Sequence, residues 1–286
     1  MLQLLVVSLL WAFSFGLIKT HLAGFDSAFV AAVRVTLALV VFLPFLRPSA
    51  VSRGTALRLV GIGALQFGLM YLAYLAAFHS LAAYQIALLT IVTPIFVCFA
   101  DDLFARRFRW EPLLAAAVAV SGAGVIVAKQ PLGRAEWTGI VLIQLSNICF
   151  AFGQVLYRRW RLSQPAVRDH DVFAWLYLGA VLVTVPPAWM QIDVGVLART
   201  LRPEQVGVLV YLGVFASGAA FFLWNQGALR VSTATLAVMN NAKTPLGVAV
   251  SLLVFDEKTD LPRLLLGCSI IVAAALYAQQ IEARDR

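Results

Sequence analysis

Ten apolar runs, each about as long as a bilayer core is thick, follow one another along this chain: about 2–19, 27–46, 57–78, 83–103, 112–128, 138–157, 172–191, 205–229, 232–255 and 261–279. A hydrocarbon core of ~30 Å takes about 20 apolar residues in a helix. Backbone amides and carbonyls meet no water there, so each run must bond internally and is expected to be helical. The connections are too short to hold a soluble domain. The composition agrees: 62% of residues are hydrophobic and 13% charged, against roughly 45–50% and about 25% in soluble domains. The fold class expected is an all-α membrane protein with ten transmembrane helices. A net charge of +8 would suggest nucleic acid in a soluble chain. Here the charges lie mostly between the apolar runs, which suits loops beside anionic lipid. The partners expected are the lipid bilayer and a small-molecule substrate, with no nucleic acid. The first run lacks a basic leader and is read as a mature helix. Cys98, Cys149 and Cys268 sit inside apolar runs without metal-ligand spacing, so buried thiols are expected, with no metal and no cofactor.

The two halves echo each other. Residues 76–97, AAFHSLAAYQIALLTIVTPIFV, lie over 227–248, GALRVSTATLAVMNNAKTPLGV, without a gap at an offset of 151. The match pairs Thr93, Pro94 and Val97 with Thr244, Pro245 and Val248. FSFG at 13–16 meets FAFG at 150–153. A unit of five spans is odd, so the second copy must enter the membrane from the opposite side. The expected domains are therefore 1–130, the first five-helix repeat, and 131–286, a second and inverted repeat around a central cavity. Of the 22 Lys and Arg residues, thirteen fall on the side of the N-terminus and seven on the other. That bias places both termini in the cytoplasm.

Two basic residues fall within spans. Arg34, seven residues into the second, lies about 10 Å deep and is expected to snorkel to the outer interface. Lys243, eleven residues into the ninth, lies roughly 17 Å from its start, near the midplane. A charge there costs about 2.5–3.5 kcal/mol on insertion scales, so it must face the bundle interior. No Asp or Glu falls in the interior of a span; Asp101, Asp102, Asp256 and Glu257 stand at helix ends. The partner expected for Lys243 is the substrate's own anionic group. Asn240 and Asn241 share its polar stretch. Pro94 and Pro245 are expected helix breaks, freeing the carbonyls of Thr90 and Asn241, with Thr90 and Thr93 as polar lining.

Aromatic residues mark further candidates. Phe67, Tyr71, Tyr74 and Phe78 form one stripe on the third span, followed by His79. Phe222 and Asn225 occupy the matching stripe of the eighth, beside Trp224. Trp11 and Phe15 form a shorter stripe on the first, and Asn147 and Gln154 share a face of the sixth. Tyr71, Tyr74, Trp224, Asn225, Trp11 and His79 are candidate substrate contacts. The small-residue runs at 113–128 and 267–278 read as peripheral scaffold or a self-association face, so a monomer or weak homo-oligomer is expected.

The opening LLWAFSFGLIK, its echo CFAFGQVLYRR and the TPIFV and TPLGV segments resemble the drug/metabolite transporter superfamily, specifically its ten-helix EamA-type members. The aromatic and neutral amino-acid exporters of bacterial inner membranes are the most similar group. That resemblance implies a cavity lined mainly by spans 1, 3, 4, 6, 8 and 9, alternating access, and a location in the bacterial inner membrane. The reading is a secondary transporter exporting or facilitating passage of small amphipathic metabolites, with amino acids the leading class. Export of drugs or nucleotide-like metabolites is the alternative. No HExxH, GxSxG or paired intramembrane acids point to an enzyme.

Overall fold

The computed structural model describes residues 2–106, 134–191, 201–230, 252–255 and 260–284, with a few isolated positions at 108–125 and 250. Regular structure in these segments is helical throughout. Seven helices are long and apolar enough to cross a membrane: α1 (Leu2–His21), α2 (Ser27–Phe45), α3 (Arg53–Ala77), α4 (Ala83–Phe104), α5 (Arg134–Ser163), α6 (Asp169–Gln191) and α7 (Pro203–Ala228). A further helix, α8 (Leu261–Arg284), follows. They correspond to eight of the ten predicted spans. The predicted fifth and ninth spans fall outside the described residues, apart from scattered positions.

Polar residues at the span ends start the helices where the apolar pattern begins. The Asp26 carboxylate accepts from the Phe29 amide at 2.9 Å, and Ser52 caps Thr55 at 3.2 Å. Gln85 and Gln205 accept from the amides of Ala82 and Arg202, at 2.8 and 2.9 Å. Each bond satisfies one of the amides that a helix start leaves open.

Three spans contain π geometry. α1 ends in a π turn at Ile18–Leu22, α3 contains a π stretch at Ala64–Leu69, and α7 contains one at Tyr211–Ala219. The stretches in α3 and α7 occur in the third span of each sequence half. α4 is interrupted by a 3-10 turn at Thr90–Val92, after which Pro94 opens the segment Thr93–Phe104. The tightened turn directly precedes the segment that holds Pro94.

The helices pack as a bundle in which α6 lies against α2 and α3, α5 against α3 and α4, and α7 against α1 and α2. At the α3–α6 crossing two glycines face the other helix's backbone. A Cβ at Gly63 would land on the carbonyl of Leu176, and a Cβ at Gly179 on the carbonyl of Val60. Only hydrogen at both positions lets the backbones approach this closely. Carboxylates keep to the helix ends. Asp171 at the start of α6 meets Arg47, which follows α2, at 3.4 Å. Asp169 accepts from Tyr157 at 2.7 Å and pairs with Arg161 at 2.8 Å. Large apolar side chains such as Leu57, Trp189, Met190, Leu253 and Leu265 stand exposed, as lipid-facing positions of a bundle do. Cys98 and Cys149 are buried and Cys268 is half-buried, all as free thiols.

Gly63→Val and Gly179→Val should each lower the unfolding midpoint in detergent, by the about 1–3 kcal/mol typical of overpacking or more. Gly61→Val, on the same helix but with open space around its missing Cβ, should leave it unchanged.

Candidate functional site

The centre of the bundle holds a cavity of about 70 Å³, lined by side chains from six helices. α1 supplies Trp11, Ser14 and Phe15; α2 supplies Arg34; α3 supplies Met70, Tyr71 and Tyr74. Thr90 and Thr93 come from α4, Ser146, Asn147 and Phe150 from α5, and Phe221 from α7. Aromatic surface dominates. The Trp11 ring stands 4.9 Å from Phe221, Phe15 stands 6.2 Å from Tyr74, and Phe150 stands 5.7 Å from Phe221, centroid to centroid.

Arg34 is 2% exposed and does not snorkel. Its Nε donates to Ser217 Oγ at 3.1 Å and its Nη2 to the Tyr71 hydroxyl at 2.9 Å. Tyr71 and Ser217 share a 2.8 Å hydrogen bond of their own. The guanidinium carbon also lies 4.2 Å from the Tyr71 ring centre, a cation–π contact. The expectation of an interfacial arginine fails because two helices offer polar partners inside the bundle. Its neighbours one helical turn away, Ala31 and Ala38, are fully buried. That small-residue face carries Arg34 inward, and it was the available sequence signal.

The π stretch of α7 places Ser217. A π stretch shifts backbone bonds from i→i−4 to i→i−5 and opens carbonyls on its surface to further donors, which inside a bilayer must come from protein. Trp11 Nε1 donates to the Ala216 carbonyl at 2.9 Å, and the Tyr177 hydroxyl of α6 donates to the Ser217 carbonyl at 2.7 Å. Tyr211, where the stretch begins, donates in turn to the Leu10 carbonyl at 2.9 Å. These bonds tie α1, α6 and α7 together beside the cavity.

A second polar group comes from α4 and α5. The Thr93 hydroxyl reaches the Thr90 carbonyl at 2.6 Å and Asn147 Oδ1 at 3.1 Å. Asn147 Nδ2 donates to the Leu89 carbonyl at 3.0 Å. The carbonyl that Pro94 leaves without its ladder donor is thus taken by a threonine one turn on.

Of the residues proposed from the sequence, Trp11, Tyr71, Tyr74, Thr90 and Thr93 line this cavity. Trp224 is buried behind it, its ring 5.1 Å from that of Trp11. Asn225 is buried too, accepting from Gln66 Nε2 at 3.3 Å and donating to the Phe221 carbonyl at 2.9 Å. His79 is exposed in the connection between α3 and α4 and does not reach the cavity, because α3 ends at Ala77. The expected stripe on Phe222 is displaced by one residue. Phe221 faces the cavity, while Phe222 packs on Phe42 and Phe173, at 5.2 and 5.3 Å. Phe222 is the counterpart of Tyr71 at the offset between the halves, but the π stretch covers nine residues in α7 and six in α3, so the two helices are not in the same register. Asn240, Asn241, Lys243 and Pro245 lie outside the described residues. Sequence reasoning missed Arg34 and Phe221 as cavity groups, Ser217 as the partner of Arg34, and also the contribution of the second span.

Tyr177→Phe removes one donor to the Ser217 carbonyl, which also takes the Ala220 amide, and should cost about 0.5–1.5 kcal/mol of stability, the net contribution of an ordinary hydrogen bond. Thermal unfolding in detergent would show it, with Tyr277→Phe on the exposed flank of α8 as the silent control.

Comparison with known proteins places this geometry in a family. The chain is 40% identical to the "Biotin transporter" of Escherichia coli (strain K12) over 280 residues, which covers 96% of this chain and 91% of that protein. It is 42% identical to the "Probable biotin transporter" of Pseudomonas aeruginosa over 292 aligned positions, 100% of this chain and 99% of the relative. A solved crystal structure shares the fold with a TM-score of 0.66 over 98% of both chains, at 16% identity. The EamA-like transporter family matches residues 1–128 and 137–279. The chain therefore belongs to the EamA-like transporter family, a membrane carrier of small metabolites and not an enzyme.

Proposed function

We propose that the chain carries biotin across a bacterial inner membrane, exposing its central cavity to one side and then the other. The observation that carries this reading is its likeness, at 40–42% identity over 96% or more of the chain, to proteins named as biotin transporters. The chemistry of the cavity supports it. Biotin is an amphipathic acid with a neutral, hydrogen-bonding ureido head and a carboxylate tail. The described walls offer aromatic surface, one set of neutral polar groups on α4 and α5, and a cation on α2. An α-amino acid, the class favoured by the sequence, fits less well. Its ammonium would need an acceptor carboxylate, and none of the described lining residues is Asp or Glu, while Arg34 would repel it.

The same reading keeps the two inverted five-helix repeats, 1–130 and 131–286, with ten spans and cytoplasmic termini. The π stretches at corresponding places in α3 and α7 support it, as does a family match that falls in two blocks. Lys243, Asn240 and Asn241 are proposed to complete the polar wall, and Pro94 and Pro245 to act as paired breaks. The cavity is small beside the roughly 300–1,000 Å³ of ordinary ligand pockets, so loading requires helices to rock apart.

Proteoliposomes holding the purified chain test the proposal. Labelled biotin should enter saturably and faster when unlabelled biotin is trapped inside, whereas phenylalanine, leucine, nucleosides and dyes should not compete. Counterflow of an amino acid or nucleoside, with none for biotin, would overturn it. Thr93→Val, which removes the hydroxyl linking Thr90 and Asn147, should weaken biotin transport by about 2–10-fold, the equivalent of one neutral hydrogen bond.

A further inference from the structure

We propose that Arg34 is the carboxylate anchor of the cavity, and that the chain selects its substrate by that negative charge. The inference deepens the reading above and rests on it for the ligand, but it concerns a site assigned from geometry alone. A buried guanidinium in a membrane bundle is normally paired with an acid. Arg34 has two neutral partners, Tyr71 and Ser217. Its third nitrogen, Nη1, is buried without a hydrogen-bond partner among the described residues. Ion pairs such as Arg47–Asp171, Arg159–Asp101, Arg161–Asp169 and Arg263–Asp260 lie elsewhere, at helix ends. An arginine that lines a cavity with one nitrogen unused is a cation waiting for an anion.

The geometry also fixes how that anion would be met. Nε is committed to Ser217 and one hydrogen of Nη2 to Tyr71. That leaves both hydrogens of Nη1 and the second of Nη2, the edge of the fork that takes a carboxylate in two parallel bonds. The plane of the fork is held by the Tyr71 ring 4.2 Å away. Ser217 is held in turn through its backbone, because its carbonyl takes the Tyr177 hydroxyl. The anchor is therefore set before the substrate arrives. It takes the role that the sequence reading gave to Lys243.

The ratio of affinities for biotin and for biotinamide, its neutral carboxamide, isolates this contact, because the two share the ureido head and differ in the charge of the tail. Titration calorimetry on the purified wild-type chain in nanodiscs should show biotin binding about 10–150-fold more tightly than the amide, the range for a charged hydrogen bond. Arg34→Gln should bring that ratio close to one, by weakening biotin and leaving the amide nearly unchanged. Retained amide binding shows that the variant is folded. Arg34→Lys should restore part of the preference, since it keeps the charge and loses the fork. Tyr71→Phe, which frees the Nη2 side of the fork, should lower the ratio without abolishing it and serves if Arg34→Gln does not fold. Lys243→Met should keep the ratio, whatever it does to overall affinity. A wild-type chain that binds biotin and its amide equally would overturn the anchor, as would an Arg34→Gln variant with an undiminished ratio or a Lys243→Met variant whose ratio collapses. If the wild type binds neither, the biotin reading fails by itself. The same acid-to-amide comparison on octanoate and phenylpyruvate then decides the anchor. A preference for the acid that Arg34→Gln removes would support it, and no preference for either acid would sink it.

Discussion

A carbonyl inside a bilayer must be bonded, and the site is built around that demand. In the π stretch of α7, carbonyls also accept from side chains of other helices: Ala216 from the Trp11 indole and Ser217 from the Tyr177 hydroxyl. Once those bonds are in place, the Ser217 side chain is held facing α2 and α3, where it meets Arg34 and Tyr71. The arrangement of α1, α2, α3, α6 and α7 around the cavity follows from these few contacts. In lipid there is little hydrophobic drive between helices, and polar bonds of this kind carry much of the specificity of packing.

Close backbone approach does the rest. The reciprocal glycines at the α3–α6 crossing bring α6 against the back of α3. There Tyr177 stacks on Phe67 at 5.0 Å, and its hydroxyl reaches α7. The break in α4 follows the same logic with a different device. Pro94 removes a ladder bond, and Thr93 and Asn147 take up the carbonyls around it. Both irregularities lie where the cavity is, in accord with the rule that non-helical backbone at membrane depth is tolerated where protein or a cavity meets it.

Much of this was legible in the residues. Span length and apolar composition located all eight described helices, because lipid admits a single secondary structure for such runs. The Thr90–Pro94 segment and the Tyr71–Tyr74 stripe pointed to the cavity correctly, since both lie in or beside helices whose local rules are strict. Phe222 was misplaced because it was read across from Tyr71 by the echo of the halves, and the π stretch before it is three residues longer than the one in α3. His79 stands apart from the cavity because it follows the end of α3 and lies exposed in the connection to α4.

Arg34 marks the division between sequence and structure. Its depth was plain from the sequence, and so was the scarcity of acids to pair with it. The direction it would turn was not, because snorkelling outward and bonding inward are both open to a long side chain, and only the neighbours decide. Sequence alone determined the membrane class, the helices, the echo between the halves and the shortage of carboxylates in the span interiors, all of which depend on local composition and spacing. The tertiary structure decided which polar residues meet. That depends on how irregular turns in α4 and α7 aim their side chains across the bundle, a long-range geometry that no local pattern records.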